Sequence, residues 1–179
     1  MSPQEILDFW FSELTPAQWY KSDPTVDASI RRRFEGTYRQ LHQAVPSEWQ
    51  ETPHAVLAAI IVLDQFPRNM FRGTPQAFAA DDKALSLATQ AIDKGLDHNL
   101  SSVEKQFLYM PFQHAENRSV QARSLKLFAT VGDSNVLNFA KRHSGIIERF
   151  GRFPHRNAIL GRKSTPEESE FLKQPGSSF

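Results

Sequence analysis

The chain has 179 residues, 40% hydrophobic and 23% charged, which is the size and balance of one globular domain. A formal net charge of +1 gives no general attraction to nucleic acid or to an anionic membrane, so neither is predicted as a partner. The absence of cysteine excludes disulfides and thiolate chemistry. With no basic-then-apolar leader at the N-terminus, the composition favours a cytoplasmic protein.

Helix starts are marked by a small polar residue followed by proline. The side-chain oxygen caps a free backbone N–H, and proline suits the first helical position because it has no N–H to leave unpaired. The pair occurs at residues 2–3, 15–16, 23–24, 52–53, 74–75 and 165–166. Capping boxes are also predicted, in which Ser2 pairs with Glu5, Ser101 with Glu104 and Thr165 with Glu168.

Apolar residues with helical spacing predict the longer helices. They form three stripes: Val26, Ile30, Phe34, Tyr38 and Leu41; Phe78, Leu85, Ala88 and Ile92; and Val136, Phe139, Ala140, His143, Ile147 and Phe150. Shorter helices are predicted near residues 3–12, 53–65, 102–112, 118–130 and 166–173. No alternating strand pattern competes with them. We therefore predict a single all-α domain over residues 1–173, built as a stack of antiparallel helix pairs, with a flexible tail at 174–179.

A short motif occurs twice. Residues 66–69 read Phe-Pro-Arg-Asn and residues 153–157 read Phe-Pro-His-Arg-Asn, and each copy is followed by glycine and then by Thr-Pro. Phe66 is expected to end its helix, because the residue before proline is pushed out of helical geometry. Each copy would then fix arginine and asparagine at a helix junction.

The first copy has two interpretations. Arg68, Asn69 and Arg72 bond free carbonyls at the helix end and pair with Asp64 or Asp81, or they form a rigid cationic wall for a bound anion. The sequence leaves both open.

The second copy lies in a basic stretch. From residue 141 to residue 163 there are seven lysines or arginines and one acid, Glu148. Such a block is commonly a solvated face, but apolar residues are interleaved with it, and the helix predicted to start at Thr165 favours anions at its N-terminus. The ligand-binding candidates from both copies are Asp64, Arg68, Asn69, Arg152, His155, Arg156 and Asn157.

Three further residues are candidates for proton transfer. Pro111 is expected to kink or end its helix, which would expose His114 and Glu116 at a junction. These two form an acid–base pair, contribute to a metal site, or hold the junction by hydrogen bonds. Because no second histidine sits at a ligand spacing, no metal site is predicted, and nothing indicates a cofactor. His143 lies on an apolar stripe. It is either a core residue or a proton carrier whose pKa is adjusted by its neighbours.

Three long motifs, in this order along the chain, are similar to those of a known family. They are residues 63–69 (Leu-Asp-Gln-Phe-Pro-Arg-Asn), residues 109–112 (Tyr-Met-Pro-Phe) with His114 and Glu116, and residues 149–157 (Arg-Phe-Gly-Arg-Phe-Pro-His-Arg-Asn) with Leu-Gly-Arg at 160–162. The chain resembles the mainly bacterial domain-of-unknown-function family 924. The resemblance implies a tetratricopeptide-like superhelix of α-helices and brings no established activity.

Two functions remain open. In the first, the arginines and asparagines of both copies bind a small anionic ligand, a phosphate or a carboxylate, near His114, Glu116 and His143. In the second, a helical-repeat groove binds a peptide whose carboxylate is bound by arginine. Since equivalent turns of stacked helices recur on one edge, we predict that the two copies converge beside His114. The arginines would then need an acid between them, Asp64, Asp81 or Glu116, or a ligand.

Overall fold

A computed structural model describes residues 1–178, and all regular structure in that range is helical, as predicted. Within it ten α-helices follow in chain order: α1 Pro3–Asp8, α2 Pro16–Tyr20, α3 Pro24–Gln43, α4 Pro53–Ile60, α5 Phe66–Met70, α6 Asp81–Asp93, α7 Ser102–His114, α8 Arg118–Ala129, α9 Ser134–Phe150 and α10 Pro166–Phe171. Single turns of 3₁₀ helix occupy Ser47–Trp49, Pro75–Phe78, Leu96–Asn99 and Pro154–Arg156, and π-helical turns occupy Phe9–Glu13 and Ile61–Gln65.

The predicted helix starts are confirmed. Proline is the first residue of α1, α2, α3, α4 and α10, and of the 3₁₀ turn Pro75–Phe78. The capping boxes at Ser2, Ser101 and Thr165 are formed by reciprocal bonds with the glutamate three residues on. Gly151 ends α9 with a φ of 71°, a left-handed conformation that glycine adopts without steric cost. These boundaries are set by residues within one turn of each end.

The prediction that the Phe66–Pro67 step ends a helix is wrong. α4 passes into the π-helical turn Ile61–Gln65, and α5 continues from it through Pro67. In the π turn the N–H of Phe66 bonds the carbonyl of Ile61, five residues back. The extra residue in this turn carries the helix past proline, which has no N–H to contribute. Every residue from 55 to 67 is buried, so packing on all sides supports the irregular turn.

Pro111 does not end its helix either. α7 runs on through it to His114, and residues 106–113 are all buried. The junction is therefore less exposed than the sequence predicted, since only 13% of the His114 side chain is accessible. Tertiary packing holds the helix where the local sequence disfavours it.

α4 is the central helix, packed against α1, α6 and α7, while α7, α8 and α9 pack in succession. An aromatic cluster fills the core beside it, with ring centroids 4.9 to 6.1 Å apart; its members are Phe9, Trp10, Phe34, Phe66 and Phe107. Aromatic pairs at these distances stabilise a core beyond the area they bury. The tetratricopeptide-like arrangement of the layers stays a prediction.

The buried face of α9 differs from the predicted stripe at two positions, since it includes Ile146 and excludes Phe139. The side chain of Phe139 is 50% exposed and lies beside the guanidinium of Arg142. The buried face consists of Ala140, His143, Ile146 and Ile147. The rotation of α9 against α8 decides which of the apolar residues face inward.

The C-terminal segment folds back on α9. The carbonyl of Gly176 accepts a bond from Arg142, and Ser177 is buried. Flexibility of the tail 174–179 stays a prediction, and its last residue, Phe179, lies outside the described residues. Across residues 1–178, no helix has the length and apolar character needed to cross a bilayer.

Candidate functional site

Asp64 and His114 form a buried pair where the π-helical turn meets the end of α7. Nδ1 of His114 lies 2.9 Å from Oδ1 of Asp64, whose side chain is completely buried. The amide of Gln65 donates to the other carboxylate oxygen at 2.6 Å. Because an ionised carboxylate can only accept hydrogen bonds, the imidazole proton belongs on Nδ1, and Nε2 keeps its lone pair.

The surrounding charges fix the protonation states of this pair. Burial alone raises the pKa of Asp64, but Arg68 and His114 outweigh it and hold the pKa well below its ordinary value. Burial and the nearby Arg68 lower the pKa of His114, although Asp64 acts in the opposite direction. At neutral pH the pair is therefore a carboxylate with a neutral imidazole, and Nε2 can accept a proton.

Arg68 joins this pair to the start of α6. Its two terminal nitrogens each lie 2.9 Å from one oxygen of Asp81, a bidentate ion pair. Nη1 also donates to the backbone carbonyl of Asp64 at 2.5 Å and lies 3.4 Å from Oδ1 of that residue. Planar, two-bond recognition of this kind holds a guanidinium in one orientation.

Arg156 reaches the same place from the second copy of the motif. Its guanidinium lies between the rings of Phe78 and Phe153, 4.5 and 4.7 Å from their centroids. Nη2 donates to the carbonyl of His114 at 3.1 Å, and Nη1 is 3.5 Å from Asp81. Nε is buried, and no described residue offers it a hydrogen-bond acceptor. Burial, reinforced by Arg68, lowers the pKa of Arg156 to about 10.

The histidines beside the pair are also neutral. The ring of His143 is centred 6.2 Å from that of His114, and its Nδ1 lies 2.8 Å from the carbonyl of Phe139. Burial is the main reason that the pKa of His143 falls to about 3 and that of His155 to about 4. No group of three potential metal ligands is formed within residues 1–178.

A second ionic cluster, which we call the C-terminal cluster, comprises Glu116, Arg152, Asn157, Arg162 and Glu168. Glu116 accepts bonds from Arg162 at 2.6 and 2.9 Å and from the N–H of Phe153 at 2.7 Å. Glu168 accepts from Arg152 at 2.7 and 2.8 Å and from Asn157 at 3.2 Å. These bonds tie the segment after α9 to the end of α7, and every charged group in the cluster has an opposite charge against it.

The structure gathers half of the predicted candidates into one place. Asp64, Arg68, His114 and Arg156 meet around Asp81, and His143 packs beside them. We use the name His114 cluster for five of these residues: Asp64, Arg68, Asp81, His114 and Arg156. Asp81 is thus the acid between the two arginines, one of the three predicted for that role. The two Arg-Asn turns converge through their arginines.

The remaining candidates lie elsewhere. Asn69 donates to the carbonyl of Gln65 in the preceding π-helical turn, and Arg72 pairs with Asp27, so both have structural contacts. The proposed pairing of His114 with Glu116 is wrong, because Glu116 bonds Arg162 and the partner of His114 is Asp64. Asn157 and Arg152 belong to the C-terminal cluster, while the His155 ring packs near Phe153.

Sequence reasoning missed two residues that shape the site. The spacing of apolar residues puts Phe78 in the second predicted stripe, whose other members lie in α6. In the structure Phe78 lies in the preceding 3₁₀ turn and contacts the guanidinia of both Arg68 and Arg156. Gln65 was read only as part of a motif, although it orients the carboxylate of Asp64. The Phe-Pro-Arg-Asn motif next to Gln65 is the signal that could have singled out that residue, and it does not extend to Phe78.

The fold and this site define an all-helical protein with a buried carboxylate–histidine pair clamped between two arginines. The chain belongs to the family described as bacterial protein of unknown function (DUF924), whose model matches residues 6–176. It is similar to a solved structure of a protein of unknown function from Agrobacterium tumefaciens, at 38% identity and a TM-score of 0.91, with 96% of each chain covered. No curated protein matches the sequence.

Proposed function

We propose that the His114 cluster binds a small molecule through a carboxylate or phosphate group and exchanges a proton with it. One observation carries this proposal: the Arg156 side chain is only 8% exposed, and its Nε has no acceptor among residues 1–178. Within the described part of the chain, its one ionic contact is with Asp81, at a long 3.5 Å. A buried cation with an unused donor is costly, and an anionic oxygen is the group that best satisfies it.

His114 is the proton carrier in this proposal. Asp64 holds the ring through Nδ1, so the Nε2 lone pair has a fixed direction. Protonation at Nε2 places the new charge beside the carboxylate of Asp64, which balances it. The imidazole is neutral before the ligand arrives, because burial and Arg68 lower its pKa.

An incoming anion competes with Asp81 for the arginines. Asp81 is the first residue of α6, and 18% of its side chain is exposed, as is 19% of that of Arg68. The cluster therefore reaches the surface on the side where the acid lies. Asp81 can turn to solvent while the ligand takes its place against Arg68 and Arg156.

Anion binding is tested by NMR of protein labelled with ¹⁵N-histidine, titrated separately with inorganic phosphate and with malonate. We expect a saturable shift of the His114 Nε2 resonance with at least one of these probes, which together separate phosphate from carboxylate recognition. Arg156→Gln should weaken the binding about tenfold or more, because it removes a charged donor.

The matched control is Arg118→Gln, which removes the same charge from an arginine that is 62% exposed. It should leave the affinity within about twofold, since exposed ion pairs contribute little. No saturable shift with either anion, or equal losses in the two variants, would overturn the proposal.

Proton exchange at His114 is tested separately, by measuring the affinity for sulfate as a function of pH. Sulfate is the probe because its own charge does not change over this pH range. A bound anion raises the pKa of His114, so sulfate affinity, followed from pH 8 downwards, should rise as the imidazole takes up a proton. His114→Gln should bind sulfate with a flatter pH profile over the same range. If the profiles of the wild type and the variant coincide, His114 is not the group that takes up the proton.

A further inference from the structure

A surface groove of about 510 Å³ lies between α3 and the segment that follows α5. Arg31, Tyr38 and Arg39 line it from α3, and Phe71 and Arg72 line it from the other side. No member of the His114 cluster lines this groove. Arg68 and Arg72, four residues apart in the sequence, therefore lie in two separate regions of the protein.

The charge in this groove is predominantly positive. Glu35 is the acid among its lining residues, against three arginines. The Arg39 side chain is 75% exposed, and its ion pair with Glu35 on the same helix is of the solvent-exposed kind that contributes little. Arg31 donates to the carbonyl of Met70 through one nitrogen. Because a guanidinium has five N–H donors, Arg31 can also donate to an occupant of the groove. The groove therefore favours a negatively charged occupant.

The floor of the groove is apolar. The rings of Tyr38 and Phe71 are centred 5.5 Å apart, and Met70, which also lines the groove, has 3% of its surface accessible. Phe71 is half-buried and carries the guanidinium of Arg31 over its ring at 5.6 Å. An apolar side chain placed here lies between positively charged walls.

The spacing of the arginines distinguishes among anionic occupants. Arg31 and Arg39 are eight residues apart on one helix, which separates their backbones by about 12 Å along its axis. An occupant that carries two separate acidic groups can therefore meet both arginines without either side chain bending towards the other. In an extended peptide, residues i and i+4 face the same side about 13 Å apart, with i+2 between them on that side.

We propose that this groove binds an extended segment of another protein with an acid, an apolar residue and a second acid at alternate positions. The acids pair with Arg31 and Arg39, and the apolar side chain between them packs on Tyr38 and Phe71. Arg72 faces the peptide from the opposite wall, held by Asp27 through bonds of 2.9 and 3.1 Å. The ion pairs between the peptide carboxylates and the arginines supply the specificity, and the rings of Tyr38 and Phe71 supply the apolar area that is buried on binding.

The test is fluorescence polarisation with a labelled, N-acetylated and C-amidated peptide of sequence Glu-Ser-Phe-Ser-Glu. We expect saturable binding that weakens about tenfold in Arg39→Gln and about tenfold when both glutamates of the peptide become glutamine. Because Arg39 is exposed, this variant should fold normally. Arg32→Gln is the matched control: Arg32 lies on the same helix, is exposed and does not line the groove.

Several outcomes would overturn the proposal. These are the absence of saturable binding, equal weakening by Arg32→Gln and Arg39→Gln, and undiminished binding of the glutamine peptide. Displacement of the peptide by millimolar phosphate alone would show a small-anion site instead. Arg156→Gln should retain peptide binding, so this result is independent of the fate of the His114 cluster.

Discussion

Asp64→Ala should destabilise the protein by about 3 kcal/mol, the lower end of the range for a broken buried ion pair. The variant leaves His114 and Gln65 without the completely buried carboxylate that accepts a hydrogen bond from each. Arg68 keeps its bidentate pair with Asp81, which limits the loss. Urea unfolding followed by circular dichroism measures the difference in the free energy of unfolding.

The control for this variant is Asp93→Ala. Asp93 also pairs with an arginine, Arg123, at 2.9 Å, but its side chain is 62% exposed. Its removal should cost less than about 1 kcal/mol. Equal costs for the two variants would mean that the buried network around His114 contributes nothing beyond a surface ion pair.

Glu168→Gln should lower stability by about 2 kcal/mol at pH 7, because several charge-assisted hydrogen bonds weaken at once. Arg152 is the main reason, followed by the N–H of Thr165, that the pKa of Glu168 falls to about 2 despite its burial. The glutamate is part of the C-terminal cluster and caps α10. Urea unfolding at pH 7 compares the variant with the wild type.

The same substitution should change the dependence of stability on pH. A carboxylate with a lowered pKa contributes its full stabilisation above its unfolded value of 4.5 and loses it as the pH falls towards about 2. The difference between wild type and Glu168→Gln should therefore shrink from pH 5 to pH 2. Glu167→Gln changes the adjacent residue, which is 64% exposed, and should follow the wild-type curve. A constant gap between Glu168→Gln and wild type across this range would contradict the assignment.

The sequence by itself determined the helical class and the helix starts. Capping is local: the side chain of Thr165 and the residue three positions later bond each other within a single turn. Such pairs can be recognised as a sequence motif, because no residue distant in the sequence is needed to form them. The same holds for the stop at Gly151, where glycine alone meets the backbone requirement.

Tertiary structure overruled local rules at the two prolines. The residue before Pro67 was expected to leave the helix, and Pro111 was expected to end one, yet both lie within continuous helical segments. Burial of the surrounding residues on every side outweighs the cost of a missing N–H, and a π turn absorbs the misfit at Pro67. No pattern of neighbouring residues encodes that support.

Only the tertiary structure decided the composition of the site. The sequence singled out Arg68, His114 and Arg156, but it paired His114 with Glu116, whereas in the structure the partner is Asp64. Residues 64 and 114 meet because of how α7 packs against the π-helical turn, and Arg68 and Arg156 share Asp81 although 88 positions separate the arginines. Such pairings depend on the rotation and approach of whole helices, which many weak contacts set together and no short motif specifies.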